Sequence, residues 1–461
     1  MTMKLRDKAH IHILGIAGHA MSGVAMAARE LGYKVSGTDE AAYPPVSDRL
    51  DAEGITWYRE ADVTHLEGVD LLVLGGGVAV DHQELVAAQE AGIAIQSYPE
   101  FVSTLISTDN RIVVTGTHGK TTTTAFIAWL LESTGRKPDF LIGIQPKNFT
   151  RSVRLDGGEV AVLEGDEYRS SRLDTSSKFS HYQAKTAIIT SIEMDHPDLF
   201  ADLAAVRQRF EGLVQNLPEH GLLVYCNDSQ IIREVARESK AHAVSYGDDA
   251  ARWRAVNTQF TSKGIEFDLL HDNEHQGRFI VPLFGEHNVS NATAALAVCL
   301  AQGISTEDLQ RAAVSFLGAS RRFECVSTTD DQITVIDDYA HHPTEVAATL
   351  AAAKQHFTGK IYAVFQPHTY SRTQSLLKEY QACFIDADAA YIVDIEGARE
   401  AGVSADVTSS ALATEPNVHY ALDRTELINN LKESMQPGDV LLSMSVNGYQ
   451  NFAAEISQAL N

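Results

Sequence analysis

The stretch Arg111-Ile-Val-Val-Thr-Gly116-Thr-His-Gly119-Lys120-Thr121-Thr-Thr-Thr124 decides the central fold of this 461-residue chain. A β-rich run, residues 112–115, ends in two glycines and a Lys-Thr pair, and a helical pattern follows over residues 125–131. Strand, glycine loop and helix in this order let backbone N–H groups and the helix dipole face one anion. The standard phosphate loop has one more glycine, where this chain has Val114. We therefore predict a nucleotide-binding loop of shortened form, with an ordinary turn as the alternative.

Two further strands are predicted to bring acidic groups to the same edge as this loop. One closes on Glu164-Gly-Asp-Glu-Tyr168 and the other on Glu193-Met-Asp-His196. Because the carboxyl ends of parallel strands meet at one edge, Mg²⁺ and γ-phosphate chemistry are expected there. Lys120 is predicted to reach the β- and γ-phosphates, and the Thr121 hydroxyl to hold Mg²⁺. The loop residues expected around the phosphates are Gly116, Thr117, His118, Gly119, Lys120, Thr121 and Thr122.

Residues 10–100 carry a second nucleotide-type pattern. A strand, His10-Ile-His-Ile-Leu14, runs into Gly15-Ile-Ala-Gly18-His-Ala-Met-Ser-Gly23, and the next strand ends at Asp39. In the Rossmann-like order, pyrophosphate binds the first turn and such an acid faces a ribose or base. The glycine spacing differs from Gly-x-Gly-x-x-Gly and favours a diphosphate carrier other than NAD. A glycine turn that serves only helix–sheet packing is the alternative.

The second half of the chain is predicted to continue this alternation after an antiparallel region at residues 252–278. Gly285-Glu-His287-Asn288-Val-Ser-Asn291 is predicted to cap a helix over residues 292–302. Its amide and imidazole groups are expected to contact a base, although capping would explain one of them. A boundary is predicted near Gly318, and strands and helices beyond it indicate a third, mostly parallel sheet.

The third sheet is predicted to carry a pocket for a second nucleophile. Its motifs are Asp337-Asp-Tyr339-Ala-His341-His342-Pro343 and Gln366-Pro-His368-Thr-Tyr370-Ser-Arg372. Arg372 suits such a pocket because a guanidinium binds a carboxylate through two hydrogen bonds. His341 and His368 are alternatively metal ligands, but no His, Cys and carboxylate set has metal-site spacing. ATP acting on a large anionic substrate is therefore expected, by a kinase or by a ligase.

Bulk properties limit the class of protein. The chain is longer than a domain with a single hydrophobic core usually is, so more than one domain is expected. A composition of 44% hydrophobic and 21% charged residues is typical of a soluble globular enzyme. A net charge of −24 argues against nucleic-acid binding. The charged start of the chain leads directly into a strand, and no apolar run approaches the ~18 residues of a bilayer span. We expect a cytoplasmic protein without membrane insertion.

The predicted fold class is α/β with three domains. They are a Rossmann-like N-terminal domain at residues 1–108, a central P-loop-type ATPase domain at 109–317, and a C-terminal α/β Rossmann-like domain at 318–461.

Taken in series, the motifs resemble those of the Mur ligases, in the branch that uses UDP-N-acetylmuramate. The stretches from Gly15 to Gly23 and from Gly116 to Thr123 resemble the family's uridine-diphosphate loop and shortened phosphate loop. The remaining counterparts follow in the family's order, and include Ser320-Arg-Arg-Phe-Glu324. The resemblance covers nearly the full length of the chain. It implies an ATP-dependent ligase of peptidoglycan precursor synthesis.

The resemblance implies a two-step reaction. The lactoyl carboxylate of UDP-N-acetylmuramate attacks the γ-phosphorus of ATP, and an amine then displaces phosphate from the acyl phosphate to leave an amide. Lys120 would neutralise phosphate charge, and Thr121, Glu164 and His196 would position two Mg²⁺ ions. Either Glu164 or His196 would take the proton of the amine. These residues are the implied catalytic and metal-binding set.

The implied binding residues fall on all three domains, so closure of the third domain would assemble the site. The uridine-diphosphate substrate is expected at Gly15, Gly18, His19, Met21, Ser22 and Asp39. Adenine is expected at His287, Asn288 and Asn291, with Arg322 and Asp338 reaching the phosphates and ribose. The amine is expected at Tyr339, His341, His368 and Arg372. The implied partners are small molecules, and the protein is expected to be a monomer or homodimer.

Two amines stay open within this branch. Gln366-Pro-His368-Thr-Tyr370-Ser-Arg372-Thr373 resembles the members that add L-alanine, although they commonly carry a basic residue where this chain has Thr369. Four other stretches resemble the recycling members that add L-alanyl-γ-D-glutamyl-meso-diaminopimelate: Tyr43-Pro-Pro, Glu167-Tyr168, Ser177-Lys178-Phe179 and Met444-Ser445. Because the nucleophile meets the third domain, L-alanine is favoured. A small-molecule kinase and a non-catalytic nucleotide-binding protein are lesser alternatives.

Overall fold

A computed structural model describes residues 6, 8–43, 46–330, 332–400, 407–421, 423–447, 449 and 451–460, with the backbone alone of His19 and Arg399. Pro44 and Pro45 of the predicted recycling-like stretch lie outside these ranges. The described residues form three separate sheets with helices packed on them, which confirms the three-domain α/β prediction. We call the parts of the chain around these sheets the first, second and third domains. Within the described ranges, no helix has the length and apolarity that crossing a membrane requires.

The first sheet has five parallel strands in the order β3-β2-β1-β4-β5. Leu14 at the end of β1 pairs with Thr38 at the end of β2, so the glycine turn and Asp39 emerge at one edge. The strands are β1 His10–Leu14, β2 Lys34–Thr38, β3 Thr56–Tyr58, β4 Leu71–Leu74 and β5 Ala94–Ser97. The helices are α1 His19–Glu30, α2 Val46–Ala52, α3 Gln83–Glu90 and α4 Tyr98–Leu105.

The second sheet has ten strands in the order β15-β14-β13-β12-β11-β10-β6-β9-β7-β8. The strand before the phosphate loop, β6, lies between β10 and β9, and pairs in parallel with both. The strands are β6 Arg111–Thr115, β7 Asp139–Leu141, β8 Val153–Arg154, β9 Ala161–Gly165, β10 Thr186–Ile189, β11 Leu222–Cys226, β12 His242–Tyr246, β13 Trp253–Thr261, β14 Gly264–His271 and β15 Glu274–Val281. The helices are α5 Lys120–Ser133, α6 Leu203–Gln215, α7 Gln230–Ala236, α8 Glu286–Ala301 and α9 Thr306–Ala313. Strands β13 to β15 pair antiparallel, as the weak alternation of residues 252–278 predicted.

Helix α8 begins earlier than predicted. It starts at Glu286, so residues 287–291 form its first turns instead of a cap before residue 292. Gly285 precedes it with φ 86°, a conformation that residues with a side chain rarely adopt. No side chain caps this helix, and the Asn288 amide donates to the Phe284 carbonyl at 2.8 Å. The predicted capping role of this motif is therefore wrong.

The third sheet is mostly parallel, as predicted, in the order β16-β17-β21-β18-β19-β20, with β16 antiparallel at the edge. The strands are β16 Glu324–Thr328, β17 Thr334–Asp338, β18 Ile361–Phe365, β19 Ala389–Ile392, β20 Val418–Tyr420 and β21 Val440–Met444. The helices are α10 Pro343–His356, α11 Tyr370–Ser375, α12 Leu377–Ala382, α13 Arg424–Ser434 and α14 Phe452–Leu460. Strands β17, β18 and β21 therefore end at one edge, where the Tyr339, His341 and His368 motifs follow.

The hydrophobic cores differ between the domains. One buried cluster runs without a break from the first domain into the second, whereas the third domain has two clusters of its own. A Cβ on Gly23 of α1 would lie 2.6 Å from the Val153 side chain of the second domain. The first two domains are thus packed together through apolar contacts.

Candidate functional site

The phosphate loop fits between β10 and α8 because its two glycines lack side chains. A Cβ on Gly116 would lie 2.0 Å from the Thr190 hydroxyl, and one on Gly119 would lie 2.4 Å from the Asn291 amide oxygen. Both glycines have positive φ, 132° and 79°. The loop also rests on the segment after β10, since the His118 N–H donates to the Ser191 hydroxyl at 2.7 Å. The curled backbone is the form that an anion-binding loop requires.

Lys120 lies at the mouth of this loop. Its ammonium donates to the Gly116 carbonyl at 2.6 Å and to the Glu167 carboxylate at 3.1 Å. Although burial opposes its charge, the carboxylates of Glu167 and Asp166 raise the pKa of Lys120 above its usual value. Lys120 is therefore a permanent cation beside the glycines.

Thr121 and Glu164 form a pair of oxygen ligands next to Lys120. The Thr121 hydroxyl donates to Glu164 at 2.8 Å, and the second carboxylate oxygen accepts the Gly143 N–H at 2.6 Å. Burial, together with the charge of Asp166, raises the pKa of Glu164. A hydroxyl beside a carboxylate is a ligand set that Mg²⁺ accepts.

His196 lies in the same cavity as Lys120 and Glu164. It has a φ of 52°, which is uncommon for a residue with a side chain. Its Nε2 is 3.5 Å from an Asp195 oxygen and 3.9 Å from a Glu167 oxygen. These three groups are close enough together to hold a metal ion. The three predicted catalytic residues, Lys120, Glu164 and His196, therefore line one cavity.

Two cavities meet at the phosphate loop. The larger, about 430 Å³, is lined by all three domains, and the smaller, about 300 Å³, lies between the loop, α8 and the third domain. Residues that line both are Gly119, Thr121, Arg322 and Glu345. A ligand that fills both cavities would pass over the start of α5.

The smaller cavity collects the predicted nucleotide residues. It is lined by His118, Gly119, Thr121, Thr122, His287, Asn288, Asn291, Arg322 and Asp338, whereas Thr117 and Lys120 line the larger cavity and Gly116 lines neither. Burial, then Arg322, lowers the pKa of His287 to about 4, so its ring is neutral. Burial raises the pKa of Asp338 to about 6, and its carboxylate accepts the N–H groups of Phe323 and Ala340 at 2.6 and 2.7 Å. The Arg322 Nε is buried and has no partner among the described residues.

The first-domain residues are only partly brought to the larger cavity. Gly18 and Met21 line it, whereas Gly15, Ser22 and Asp39 do not. Gly15 has φ 78° and forms the turn itself, and Ser22 faces a small separate cavity. The Asp39 carboxylate accepts the N–H groups of Ala17 and Ala41, each at 2.9 Å, and so braces the turn. His19 begins α1 at the same turn.

All four predicted amine-binding residues, Tyr339, His341, His368 and Arg372, line the larger cavity. Burial lowers the pKa of His341 to about 3, so this ring is neutral. His368 Nδ1 is 3.1 Å from the Glu396 carboxylate. Thr369, the residue after His368, accepts the backbone N–H of Arg372 through its side chain and caps α11.

Arg372 is already paired within the protein. Its Nε donates to Asp195 of the second domain at 2.7 Å, and the residue is 2% exposed. Its Nη1 is buried without a partner among the described residues. Although burial opposes the charge of Asp195, His196 and Arg372 keep the pKa of Asp195 well below its usual value. One guanidinium nitrogen thus stays available for a ligand carboxylate.

Sequence reasoning missed several residues that line these cavities or adjoin them. Asp195 and Glu193 lie in the motif from Glu193 to His196 but receive no separate role from the sequence, and Glu345 lies just beyond the motif that ends at Pro343. Glu345 gives a local signal, since it lies three residues after His342 and completes a capping box at α10. Lys178 also lines the larger cavity, with Nζ 2.9 Å from Asp166 and 3.0 Å from the Tyr168 hydroxyl.

Family models match almost the whole chain. Residues 10–109 match the Mur ligase family catalytic domain, residues 114–299 the Mur ligase middle domain, and residues 321–446 the Mur ligase glutamate ligase domain.

Individual relatives extend this similarity. The chain is 35% identical over 445 residues to UDP-N-acetylmuramate--L-alanyl-gamma-D-glutamyl-meso-2,6-diaminoheptandioate ligase of Escherichia coli K12, covering 95% of each chain. It is 35% identical over 452 residues to UDP-N-acetylmuramate--L-alanine ligase of Gloeobacter violaceus, covering 97% of this chain and 95% of that one. Its structure is similar to that of a murein peptide ligase from Psychrobacter arcticus, with a TM-score of 0.73, 27% identity and 98% coverage of both chains.

Proposed function

The chain belongs to the Mur ligase family, and on this premise we propose that it is an ATP-dependent ligase acting on UDP-N-acetylmuramate. It forms an amide between the lactoyl carboxylate of that substrate and an amine, with L-alanine favoured. The product is a peptidoglycan precursor. Action in the cytoplasm by a monomer or homodimer is part of the same expectation, and fractionation and sedimentation would test it.

One observation carries this proposal. The larger cavity joins the glycine turn of the first domain, the phosphate loop of the second and the His341–Arg372 wall of the third. A kinase needs a phosphate loop and one acceptor site. A cavity with a third wall, lined by an arginine that has a free buried nitrogen, supports a reaction with a second nucleophile.

The residues around the loop fit ATP and Mg²⁺. Gly116 and Gly119 leave a curled backbone whose N–H groups suit phosphate oxygens, and Thr121 with Glu164 offers neighbouring oxygen ligands. His196 would complete the metal-binding set. When bound, Mg²⁺ supplies neutralisation of phosphate charge.

The chain's own groups then have distinct tasks. Lys120 stabilises negative charge on the β- and γ-phosphates as the substrate carboxylate attacks the γ-phosphorus, and for this its ammonium must turn from Glu167 towards the nucleotide. His287, Asn288 and Asn291 contact the adenine as neutral hydrogen-bonding groups. Arg322 and Asp338 contact the phosphates and ribose from the third domain.

The second step needs an oriented, deprotonated amine. The free Nη1 of Arg372 would bind the carboxylate of L-alanine, with Tyr339, His341 and His368 forming the surrounding wall. The amine attacks the carbonyl carbon of the acyl phosphate, and phosphate leaves as the C–N bond forms. Glu164 and His196 are the two candidates that take the amine proton.

The tripeptide L-alanyl-γ-D-glutamyl-meso-diaminopimelate is the second candidate nucleophile. One observation favours it: Tyr168 and Lys178 lie in the wall of the larger cavity. Both residues belong to the stretches that resemble the recycling members. The 35% identity to the E. coli ligase of that name is equalled by the identity to the L-alanine ligase of Gloeobacter violaceus and favours neither amine. L-alanine stays favoured because the stretch from Gln366 to Thr373 resembles the members that add L-alanine. Its His368 and Arg372 line the cavity in which the amine would bind.

A phosphate-release assay tests the proposal. Purified protein is supplied with UDP-N-acetylmuramate, ATP and Mg²⁺, and L-alanine, L-serine, glycine and the tripeptide are added in separate reactions. We expect release only with an amine, and fastest with L-alanine. Release without any amine would indicate a kinase or hydrolase and overturn the ligase proposal. No release with any amine, together with tight ADP binding, would indicate a non-catalytic nucleotide-binding protein.

A further inference from the structure

His118, in the middle of the phosphate loop, lies between carboxylates from two domains. Its Nδ1 is 3.1 Å from a Glu345 oxygen of the third domain, and its Nε2 is 3.4 Å from a Glu193 oxygen of the second. A neutral imidazole has one N–H and can donate to only one of these groups. Its other nitrogen would then set a lone pair against a carboxylate. Both contacts are satisfied only by the imidazolium form.

The surroundings of His118 support this protonation. Although burial opposes the charge of His118, the hydrogen bonds that its ring donates to Glu193 and Glu345 raise the pKa of His118 to about 9. Two histidines lie near His118: His342 just before α10, whose ring centroid is 4.6 Å from that of His118, and His287 of α8. Burial lowers the pKa of both of these histidines, so neither competes as a cation. His341 and the permanently charged Arg322 lie beside Glu345.

A proton explains this cluster better than a metal ion does. His118, Glu193 and His342 are close enough together to hold a cation. However, His342 Nε2 already lies 3.2 Å from the Met194 carbonyl, and its Nδ1 accepts the Thr344 N–H at 3.3 Å. Neither nitrogen of His342 is therefore free to bind a metal.

Both carboxylates are fixed from outside the loop. Glu345 accepts the backbone N–H groups of His341 and His342 at 3.1 and 3.4 Å, at the start of α10. Glu193 accepts the Thr344 hydroxyl at 2.8 Å, and its own N–H donates to the Thr117 hydroxyl of the phosphate loop at 2.9 Å. A continuous set of contacts thus runs from α10 through His118 into the loop.

We propose that His118 is a positioning residue, held as an imidazolium between Glu193 and Glu345, through which docking of the third domain fixes the phosphate loop. When the third domain is docked and His118 is neutral or absent, no cation lies between the Glu193 and Glu345 carboxylates, and Arg322 remains beside Glu345 alone. The resulting repulsion would separate α10 from the loop. The effect on turnover rests on the proposed ligase function, whereas the protonation state and its contacts do not.

Nitrogen NMR of the full-length protein, labelled with ¹⁵N in its histidines, tests the protonation directly. The His118 signals are identified as those missing from the His118→Gln spectrum. We expect both ring nitrogens of His118 to show the imidazolium signature at pH 7 and to lose it only near pH 9. A neutral-ring signature at pH 7 would overturn the proposal, and this result needs no turnover.

Kinetics test the coupling. His118→Gln, Glu345→Gln and the double variant are compared, with Glu379→Gln on the exposed side of α12 as the matched control. We expect each single variant to lower kcat about tenfold to a hundredfold, because small misplacements of reacting groups have effects of that size. The double variant should be no worse than the more impaired single one.

Two kinetic outcomes would contradict this coupling. Losses that multiply in the double variant would mean that His118 and Glu345 act independently. A wild-type kcat in Glu345→Gln would mean that docking does not act through this contact. If the wild-type protein shows no amine-dependent turnover, the proposed ligase function fails, and the NMR result alone decides whether the imidazolium contact exists.

Discussion

The two junctions between domains are built differently. The first and second domains share one continuous hydrophobic cluster, with Gly23 packed directly against Val153. The second and third domains have separate hydrophobic clusters and contact each other through ion pairs and hydrogen bonds, with aromatic contacts of Phe284 to Phe323 and His356. Three consecutive residues of the second domain, 193–195, each contact the third domain. The pairs are Glu193 with Thr344, the Met194 carbonyl with His342, and Asp195 with Arg372.

This difference indicates which junction moves. Apolar burial is non-directional and adds up over a large area, so the first junction is expected to stay closed. Hydrogen-bonded charge pairs depend on geometry, and water can replace each partner when they separate. The second junction lies over the phosphate loop. We therefore expect substrates to enter there and closure to complete the site.

The largest effect is expected from a change that leaves both junctions intact. Lys120→Ala removes the cation beside the phosphate glycines and should lower kcat by several powers of ten, because phosphoryl transfer depends on charge neutralisation. Amine-dependent phosphate release is the measurement. The control is Lys263→Ala at an exposed hairpin, which should behave like wild type. Turnover retained by Lys120→Ala would remove the loop from its proposed role.

The next largest effect tests the junction between the second and third domains, which we call the polar junction. Arg372→Lys keeps the charge but loses the planar fork that pairs with Asp195 and a ligand carboxylate. We expect kcat/KM for L-alanine to fall about a hundredfold, as when one partner of a buried charge pair is changed. ADP affinity should be unaffected. Arg252→Lys, in an exposed pair with Asp272, is the matched control and should have an effect near zero.

Asp195→Asn should reproduce most of the Arg372→Lys loss, and the double variant should not multiply it. Multiplying losses would mean that the two side chains act separately.

The junction between the first and second domains, which we call the apolar junction, is tested by measuring thermal stability instead of turnover rate. Gly23→Ala adds a methyl group 2.6 Å from the Val153 side chain, and overpacking of this kind typically destabilises by about 1–3 kcal/mol. We expect a lower thermal midpoint with kcat nearly unchanged at 25 °C. Adding Val153→Ala should recover part of the midpoint by making room. A large loss of kcat without a change in midpoint would show that this junction also takes part in closure.

The smallest expected effect is a pH dependence of the stability that the polar junction contributes. The pKa of His118 is raised to about 9 in the folded protein, above its ordinary value near 6.5. The stability that His118 contributes is therefore fully present below about pH 6.5 and is lost as pH rises through about 9. The thermal midpoint of wild type should lie above that of His118→Gln at pH 6. This difference should shrink by a few degrees as the pH rises to 9.5. A constant difference would argue against the imidazolium.

Sequence reasoning succeeded where the site is local. The strand, the glycine loop and the helix lie within one stretch, so residue types and spacing were enough to predict these three elements in order. Nucleotide binding by the loop stays a prediction. The start of α8 is not predicted because Gly285, which precedes that helix, has no side chain to cap it, and the polar residues that suggest a cap form its first turns.

Contacts between domains could not be predicted from the sequence. Asp195 and Arg372 are 177 positions apart, and no spacing rule connects a residue after β10 with one in α11. The same holds for His118 and Glu345. Asp39 shows a different limit. Its position after β2 predicts a contact with a ribose or base, and in the structure its carboxylate accepts two N–H groups of the glycine turn and its neighbour. Its contact with a ribose or base stays a prediction.

The most direct test of the proposed activity is the mass of the product formed in competition. The protein is given UDP-N-acetylmuramate, ATP, Mg²⁺ and equal concentrations of L-alanine and L-alanyl-γ-D-glutamyl-meso-diaminopimelate, with Lys120→Ala as the inactive control. We expect a product whose mass is that of UDP-N-acetylmuramate plus L-alanine less one water, formed together with ADP. A product carrying the tripeptide would contradict the choice of amine, and ADP formed without any amide product would contradict the ligase itself.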